Sequence, residues 1–272
     1  MDNDNRTRTL AEVASLDAWH KGFTTTRKAV DLHVDVSFSE GRIGGEPEAE
    51  VRFRLRLRRA DVVIVVPPLE RVGVDKASVS RDAPRLRVKA TEARRTKDQF
   101  GASAGLLARA GASVSARGKA QAQLAARRAR ETTLKITQDG SAFSVMQVQT
   151  QNGDYAWIIE PTADDVLLGR PWNADDAPRL RLIDQRSDGH RTIEPAVRVE
   201  LRCRREDLEI REITPTSKRD WAALAKDPFG ANKLKAAEAV IRTRLARAGL
   251  VSGNLEDPFA ELTICAVIAQ SA

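Results

Sequence analysis

The chain is predicted to be mainly β or α+β: antiparallel, β-sandwich-like units from an internal duplication, with a few helices that include a C-terminal amphipathic one. Three observations predict it. Apolar and polar residues alternate with period two in several short segments, as half-buried strands do. Two of these segments recur at a near-constant spacing together with their flanks. Toward the C-terminus the apolar spacing changes to that of a helix.

The first strand signal is Val30, Leu32, Val34, Val36 and Phe38, each separated by a polar residue. Gly41, Gly44, Gly45 and Pro47 then mark a turn or loop. Val51, Phe53, Leu55 and Leu57 alternate with Arg52, Arg54, Arg56 and Arg58, so the two segments read as an antiparallel hairpin with one apolar face. The continuous run from Val62 to Val66, stopped by Pro67-Pro68, suits a strand buried on both faces. Leu86, Val88 and Ala90 alternate again, and residues 132–160 carry more strands that end on Trp157-Ile158-Ile159.

The repeat is visible by eye. At an offset of 148, Ala29, Leu32, Ser39, Gly41, Glu46 and Pro47 match Ala177, Leu180, Ser187, Gly189, Glu194 and Pro195. At an offset of 146, Val51, Arg52, Leu55, Arg56, Arg58, Arg59, Asp61 and Ile64 match Val197, Arg198, Leu201, Arg202, Arg204, Arg205, Asp207 and Ile210. A KDxFGA echo follows each copy, at 97–102 and 226–231. The second copy therefore predicts strands at Leu180 and Leu182, at Val197 to Cys203, and at Leu208 to Ile213. Two β-rich repeats, 1–165 and 166–272, are the expected organisation, packed separately or as one domain.

Helices are expected over 118–131 by propensity, over about 219–226, and over 231–248. In the last, Leu234, Ala237, Ile241, Leu245 and Ala248 form an apolar stripe, with Asn232 expected to cap its start and Gly249 its end.

Composition narrows the function. Of 272 residues, 42% are hydrophobic and 31% charged, which is globular rather than disordered; the formal net charge of +7 admits nucleic acid, an anionic membrane or an acidic protein as partner, but acids interleave with the bases along most of the chain, and a compositional excess of Arg is the first reading. Cys203 and Cys265 make no CxxC pair and read as buried apolar side chains. The opening MDNDNRTRTLAEVASL lacks the order of a secretory signal, and no run approaches the roughly 18 apolar residues of a spanning helix, so a cytoplasmic location is expected.

Few residues carry a chemical pattern. Arg52, Arg54, Arg56 and Arg58 share one strand face, and Arg198, Arg202 and Arg204 repeat it; they are the candidate polyanion-binding residues. Asp31, His33 and Asp35 share a face on the strand expected to pair with the first ladder, where they read as its counter-ions before they read as a metal site. His20 and His190 have no partner motif and read as surface or turn residues. Gly118-Lys119 lacks the spacing and hydroxyl of a phosphate loop. Residues 101–117 alternate small residues and read as a loop first and a membrane-inserting strand second. The duplicated RRxD at Arg58 and Arg204 reads as a strand–turn junction, and the four tryptophans as core. No catalytic, cofactor or metal site is assigned. The first expectation is a non-enzymatic interaction protein that binds a protein partner or assembles with itself. Nucleic-acid or polyanion binding through the arginine faces is the alternative, membrane activity through 101–117 the third, and a hydrolase whose site no sequence motif reveals the fourth.

Overall fold

The computed structural model of the protein describes residues 6–8, 10–44, 49–81, 88–94, 134–140, 142–187, 194–216, 231–250 and 253–271. The chain divides into two compact units, Met1–Leu86 with Ser141–Ala272, and Arg87–Gly140. The fold is mainly β: among the described residues the first unit carries three sheets and one helix, α1 (Ala231–Arg247).

A six-stranded sheet runs in the order β1 (Arg6–Arg8), β15 (Glu261–Ile268), β13 (Arg198–Arg204), β6 (Ala60–Val65), β11 (Tyr155–Pro161) and β10 (Phe143–Gln149). A five-stranded sheet follows β16 (Gln270–Ser271), β2 (Ala14–His20), β3 (Ala29–Phe38), β12 (Leu180–Asp184) and β7 (Val72–Asp75). The third sheet is β14 (Leu208–Pro215), β5 (Val51–Leu57) and β4 (Gly41–Ile43). Of the pairings among the described residues, only β16 with β2 is parallel. The inward residues of all three sheets join one core with Ala237, Ile241 and Leu245 of α1. The smaller unit contains the antiparallel ribbon β8 (Val88–Arg94) with β9 (Leu134–Gly140), in unbroken register from Val88 opposite Gly140 to Arg94 opposite Leu134.

The period-two segments are strands, and their apolar faces are the buried ones. Val30, Leu32, Val34, Val36 and Phe38 are buried on β3, and Val51, Phe53, Leu55 and Leu57 on β5. Val197, Val199, Leu201 and Cys203 are buried likewise. Val62, Val63 and Ile64 are consecutive and all buried, because β6 lies inside its sheet between β13 and β11.

Strand pairing departs from expectation. β3 and β5 do not form a hairpin. β3 is taken on its two edges by β2 and β12, while β5 pairs with β4 and β14. Alternation states which face is buried and says nothing of the neighbour along the ladder. The antiparallel neighbours are instead β4 and β5, with Gly44 directly after β4. There φ is +82°, and a Cβ would stand 2.0 Å from the Val51 carbonyl oxygen.

The C-terminal helix differs from its expected form at its start and matches it at its end. Ala237, Ile241 and Leu245 are buried and Ala248 is partly so, but Leu234 is 37% exposed. Asn232 lies within the first turn rather than before it. Gly249, at φ +67°, closes the other end: its N–H donates to Ala246 O and the Leu250 N–H to Leu245 O, the paired bonds of a glycine C-cap. The expected helices at 118–131 and 219–226, the stretch 101–117, both KDxFGA segments, Gly118-Lys119, His190 and Trp221 lie outside the described residues.

Candidate functional site

The outer face of the β4–β5–β14 sheet concentrates arginine. On β5, side chains alternate, so Arg52, Arg54 and Arg56 point away from the core at about 6.8 Å intervals. In the ladder Arg54 stands directly opposite Arg42 of β4 on one side and Arg211 of β14 on the other. Arg58 follows the strand. Six arginines thus share this region with three glutamates, Glu40, Glu209 and Glu212, which pair with four of them.

Those carboxylates are distributed unevenly. Glu40 spans Arg54 (2.6 Å, Nη1 to Oε1) and Arg56, and the Arg54 hydrogen bond holds its carboxyl below the usual range. Glu209, nearly buried, lies 2.6 Å from Arg211 Nη2 and 3.3 Å from Arg58 Nη2. Burial alone raises its pKa, but hydrogen bonds from Arg211 and Arg58 hold it below the ordinary value. Arg42 and Arg52 are exposed and have no carboxylate partner among the described residues. They flank an open depression of about 530 Å³ whose lining includes Arg54, Glu212 and Thr214.

Glu212 reaches this face through a β-bulge. Leu208 points inward and Glu209 and Arg211 outward, so simple alternation would aim Glu212 toward the core. Between Arg211 opposite Arg54 and Thr214 opposite Arg52, however, β14 carries one residue more than β5. Glu212 absorbs the excess with φ at +50°, in a region that side chains other than glycine's rarely occupy. Its carboxylate then lies 2.7 Å from Arg54 Nε, and Ile213 returns to pack against the core.

The repeat ladder lies elsewhere. Arg198, Arg202 and Arg204 sit on β13, in the six-stranded sheet. Glu200 lies between the first two, 2.8 Å from Arg198 and 2.7 Å from Arg202; Arg202 also meets Glu261 at 2.9 Å, and Arg204 meets Glu206 at 3.5 Å. This ladder is matched charge for charge by carboxylates of its own strand, of β15 and of the turn that follows, unlike the first.

The counter-ions expected for the first ladder serve other arginines. Because β3 pairs with β12 rather than β5, Asp31 faces Arg181 in the ladder and bonds it at 2.8 Å, and Asp35 meets Arg170 at 3.2 Å. His33 Nδ1 lies 2.7 Å from the Ala174 carbonyl oxygen, and its ring stacks on Trp19. No group of three or more His, Cys, Asp or Glu among the described residues can hold a metal ion. His20 is buried rather than superficial: it ends the inward face of β2, with Nδ1 2.9 Å from Lys21 O and its ring against Phe23. Cys203 and Cys265 are both buried free thiols, and burial pushes the Cys203 thiol well up.

One cation is placed where the sequence offers no warning. Arg179 is fully buried, its guanidinium 4.3 Å above the Trp172 ring and 5.9 Å from that of Trp157. Nε and Nη2 donate to Ala177 O, Nη1 has no partner among the described residues, and burial lowers the pKa to about 10.

No helix among the described residues is long and apolar enough to cross a membrane. A scan against protein-family models matches none, and a search of curated proteins finds no match.

Proposed function

We propose that the protein is a non-enzymatic interaction module that takes an acidic protein partner on the outer face of the β4–β5–β14 sheet. The observation that carries this reading is the row Arg42–Arg54–Arg211, three like charges in direct register across three strands. Like charges placed opposite one another destabilise a sheet. Two glutamates relieve Arg54, but Arg42 and Arg52, on the rim of the depression, have no carboxylate partner among the described residues. Such a face is a steering surface for negative charge. Of the chain's aromatics, Phe53 belongs to these strands, and it points inward; base stacking therefore has no platform here, which favours carboxylates over single-stranded nucleic acid. Replacing Arg42, Arg52 and Arg56 by Gln and titrating a labelled poly-glutamate peptide tests the reading. Binding should weaken at least tenfold and fall further with salt. Retained binding, or none by the unaltered protein, refutes it; preferential capture of duplex DNA or RNA would transfer the face to nucleic acid.

A second reading, self-assembly, rests on β10. It is an outer strand of the six-stranded sheet and reads FSVMQVQ, with neither charge nor proline, the devices that usually blunt an edge. Met146→Lys should then abolish any self-association measured by analytical ultracentrifugation while leaving the fold intact.

A further inference from the structure

Resting on the arginine-face reading, we propose that the Arg42–Arg52–Arg54 depression is the anchoring subsite for a single carboxylate side chain of the acidic partner, and that Glu212 occupies it as an internal stand-in that the partner displaces. Four features of the molecule meet at this place. The depression is open, about 530 Å³, and lined by three arginines and Thr214. Its internal occupant is itself a carboxylate, 2.7 Å from Arg54 Nε, so the guanidinium edge is already set for that group. The occupant is accessible from solvent: the Glu212 side chain is 62% exposed, and an exposed pair of this kind adds little stability. And it arrives only through the bulge and a φ of +50°, a backbone arrangement that concentrates where function demands it rather than where folding does.

The division of labour between the two glutamates on Arg54 supports the same assignment. Glu40 bonds both Arg54 and Arg56 and is 23% exposed; it is the structural counter-ion and stays. Glu212 contacts Arg54 alone, through Nε, on the side of the depression. An incoming carboxylate that replaces it gains Arg42 and Arg52 as well, two cations with no carboxylate partner among the described residues. Three arginines on one carboxylate outcompete one, so a partner of matching charge displaces Glu212 although both groups are chemically alike. A neutral segment gains nothing from the exchange and is excluded.

The test compares Glu212→Gln, Glu256→Gln and the Arg42→Gln/Arg52→Gln pair, using fluorescence anisotropy of a labelled poly-glutamate peptide and, in parallel, a labelled DNA duplex. Glu256 is an exposed glutamate lining a different depression and controls for net charge. Removing the stand-in should tighten peptide binding about two- to fivefold, the size of one exposed ion pair. Glu256→Gln should change it far less, and the arginine pair should lose most of it. If Glu212→Gln weakens or fails to change peptide binding while the arginine pair still abolishes it, the arginine face stands and the stand-in does not. If the arginine pair binds like the unaltered protein, the face itself is wrong. If Glu212→Gln and Glu256→Gln tighten binding equally, or the gain appears on DNA and not on peptide, the carboxylate subsite is overturned.

Discussion

Leu32 of β3 and Leu180 of β12 stand directly opposite each other in the antiparallel ladder, both fully buried. They are also counterparts in the sequence repeat, where 180 is 32 plus the offset of 148. A two-fold relation between duplicated copies would pair counterparts in this way. The other repeat strands pair in a related sense: β5 with β14, and β13 with β6, each a strand of one copy with the following strand of the other. We propose on this ground that the copies are related by an approximate two-fold and share their sheets rather than forming separate units. Each leucine should cost roughly 2–5 kcal/mol when cut to Ala. Because both truncations open one shared space, the Leu32→Ala/Leu180→Ala cycle should depart from additivity by about 0.5–3 kcal/mol in chemical denaturation. Additive losses would remove the axis.

Arg179 invites a substitution that ordinarily harms a core. A desolvated cation without a carboxylate is costly, and well-packed apolar replacements of buried charges are often neutral or stabilising by about 1–4 kcal/mol. Two indole contacts and two bonds to Ala177 O offset part of that cost. Arg179→Met keeps the stem and the fill, so thermal stability should be unchanged or higher. Arg179→Ala leaves a void between Trp157 and Trp172 and should lose about 2–4 kcal/mol. A large loss for Met as well would mean that the cation itself holds the two rings together.

How far the sequence carries is clear from these same residues. The faces of β3, β5, β12 and β13 were legible because alternation follows directly from the pleat, and burial obeys it at every inward position. Partner choice was not legible. Asp31 and Arg181 are 150 residues apart, and nothing local distinguishes Arg181 from Arg56 as the counter-ion of Asp31. β2 and β15 were missed: ASLDAWH sets small and polar residues on an inward face, and ELTICAVI is buried almost throughout and so shows no period. On the candidate site, the β5 arginines were visible as a ladder. Arg42, Arg211 and Glu212 were not, because a three-residue strand carries too little pattern and a bulge shifts the phase that alternation depends on.

Acid should act oppositely on two carboxylates. Hydrogen bonding to Arg54 lowers the Glu40 pKa below 4.5, so its contribution is present above the ordinary value and lost as pH falls through the lowered one. Asp61 is the reverse: burial raises it, incompletely offset by Arg59, whose Nε is 3.7 Å away and too far for a hydrogen bond. A raised carboxyl favours the fold below its unfolded value of 3.8 and loses that contribution as pH climbs through the raised value. Asp61→Asn should therefore stabilise the protein at neutral pH and lose its advantage near about pH 3, while Glu40→Gln should destabilise at neutral pH and converge on the unaltered protein in acid. Urea midpoints at the two pH values decide it; a pH-independent offset for either variant contradicts the assigned cause.

Core and surface positions on α1 should respond differently to an introduced charge. Ala237, Ile241 and Leu245 are buried under the helix where it packs on β5 and β14, whereas Leu234, one turn before Ala237, is partly open. Glu238 is also nearly buried, but it bonds Arg205 through Nε at 3.0 Å and so enters the interface paired. A carboxylate introduced at Leu245 has no such cation and must be buried bare, which should cost at least about 3 kcal/mol in Leu245→Asp. At Leu234 the same change meets solvent and Lys235, and should cost under about 1 kcal/mol. Poly-glutamate affinity of Leu234→Asp should also match that of the unaltered protein, because Leu234 lines a different depression from Arg42, Arg52 and Arg54. Should Leu245→Asp melt at the unaltered temperature, the helix does not dock on its own sheets in solution, and its apolar stripe becomes the surface that a partner covers.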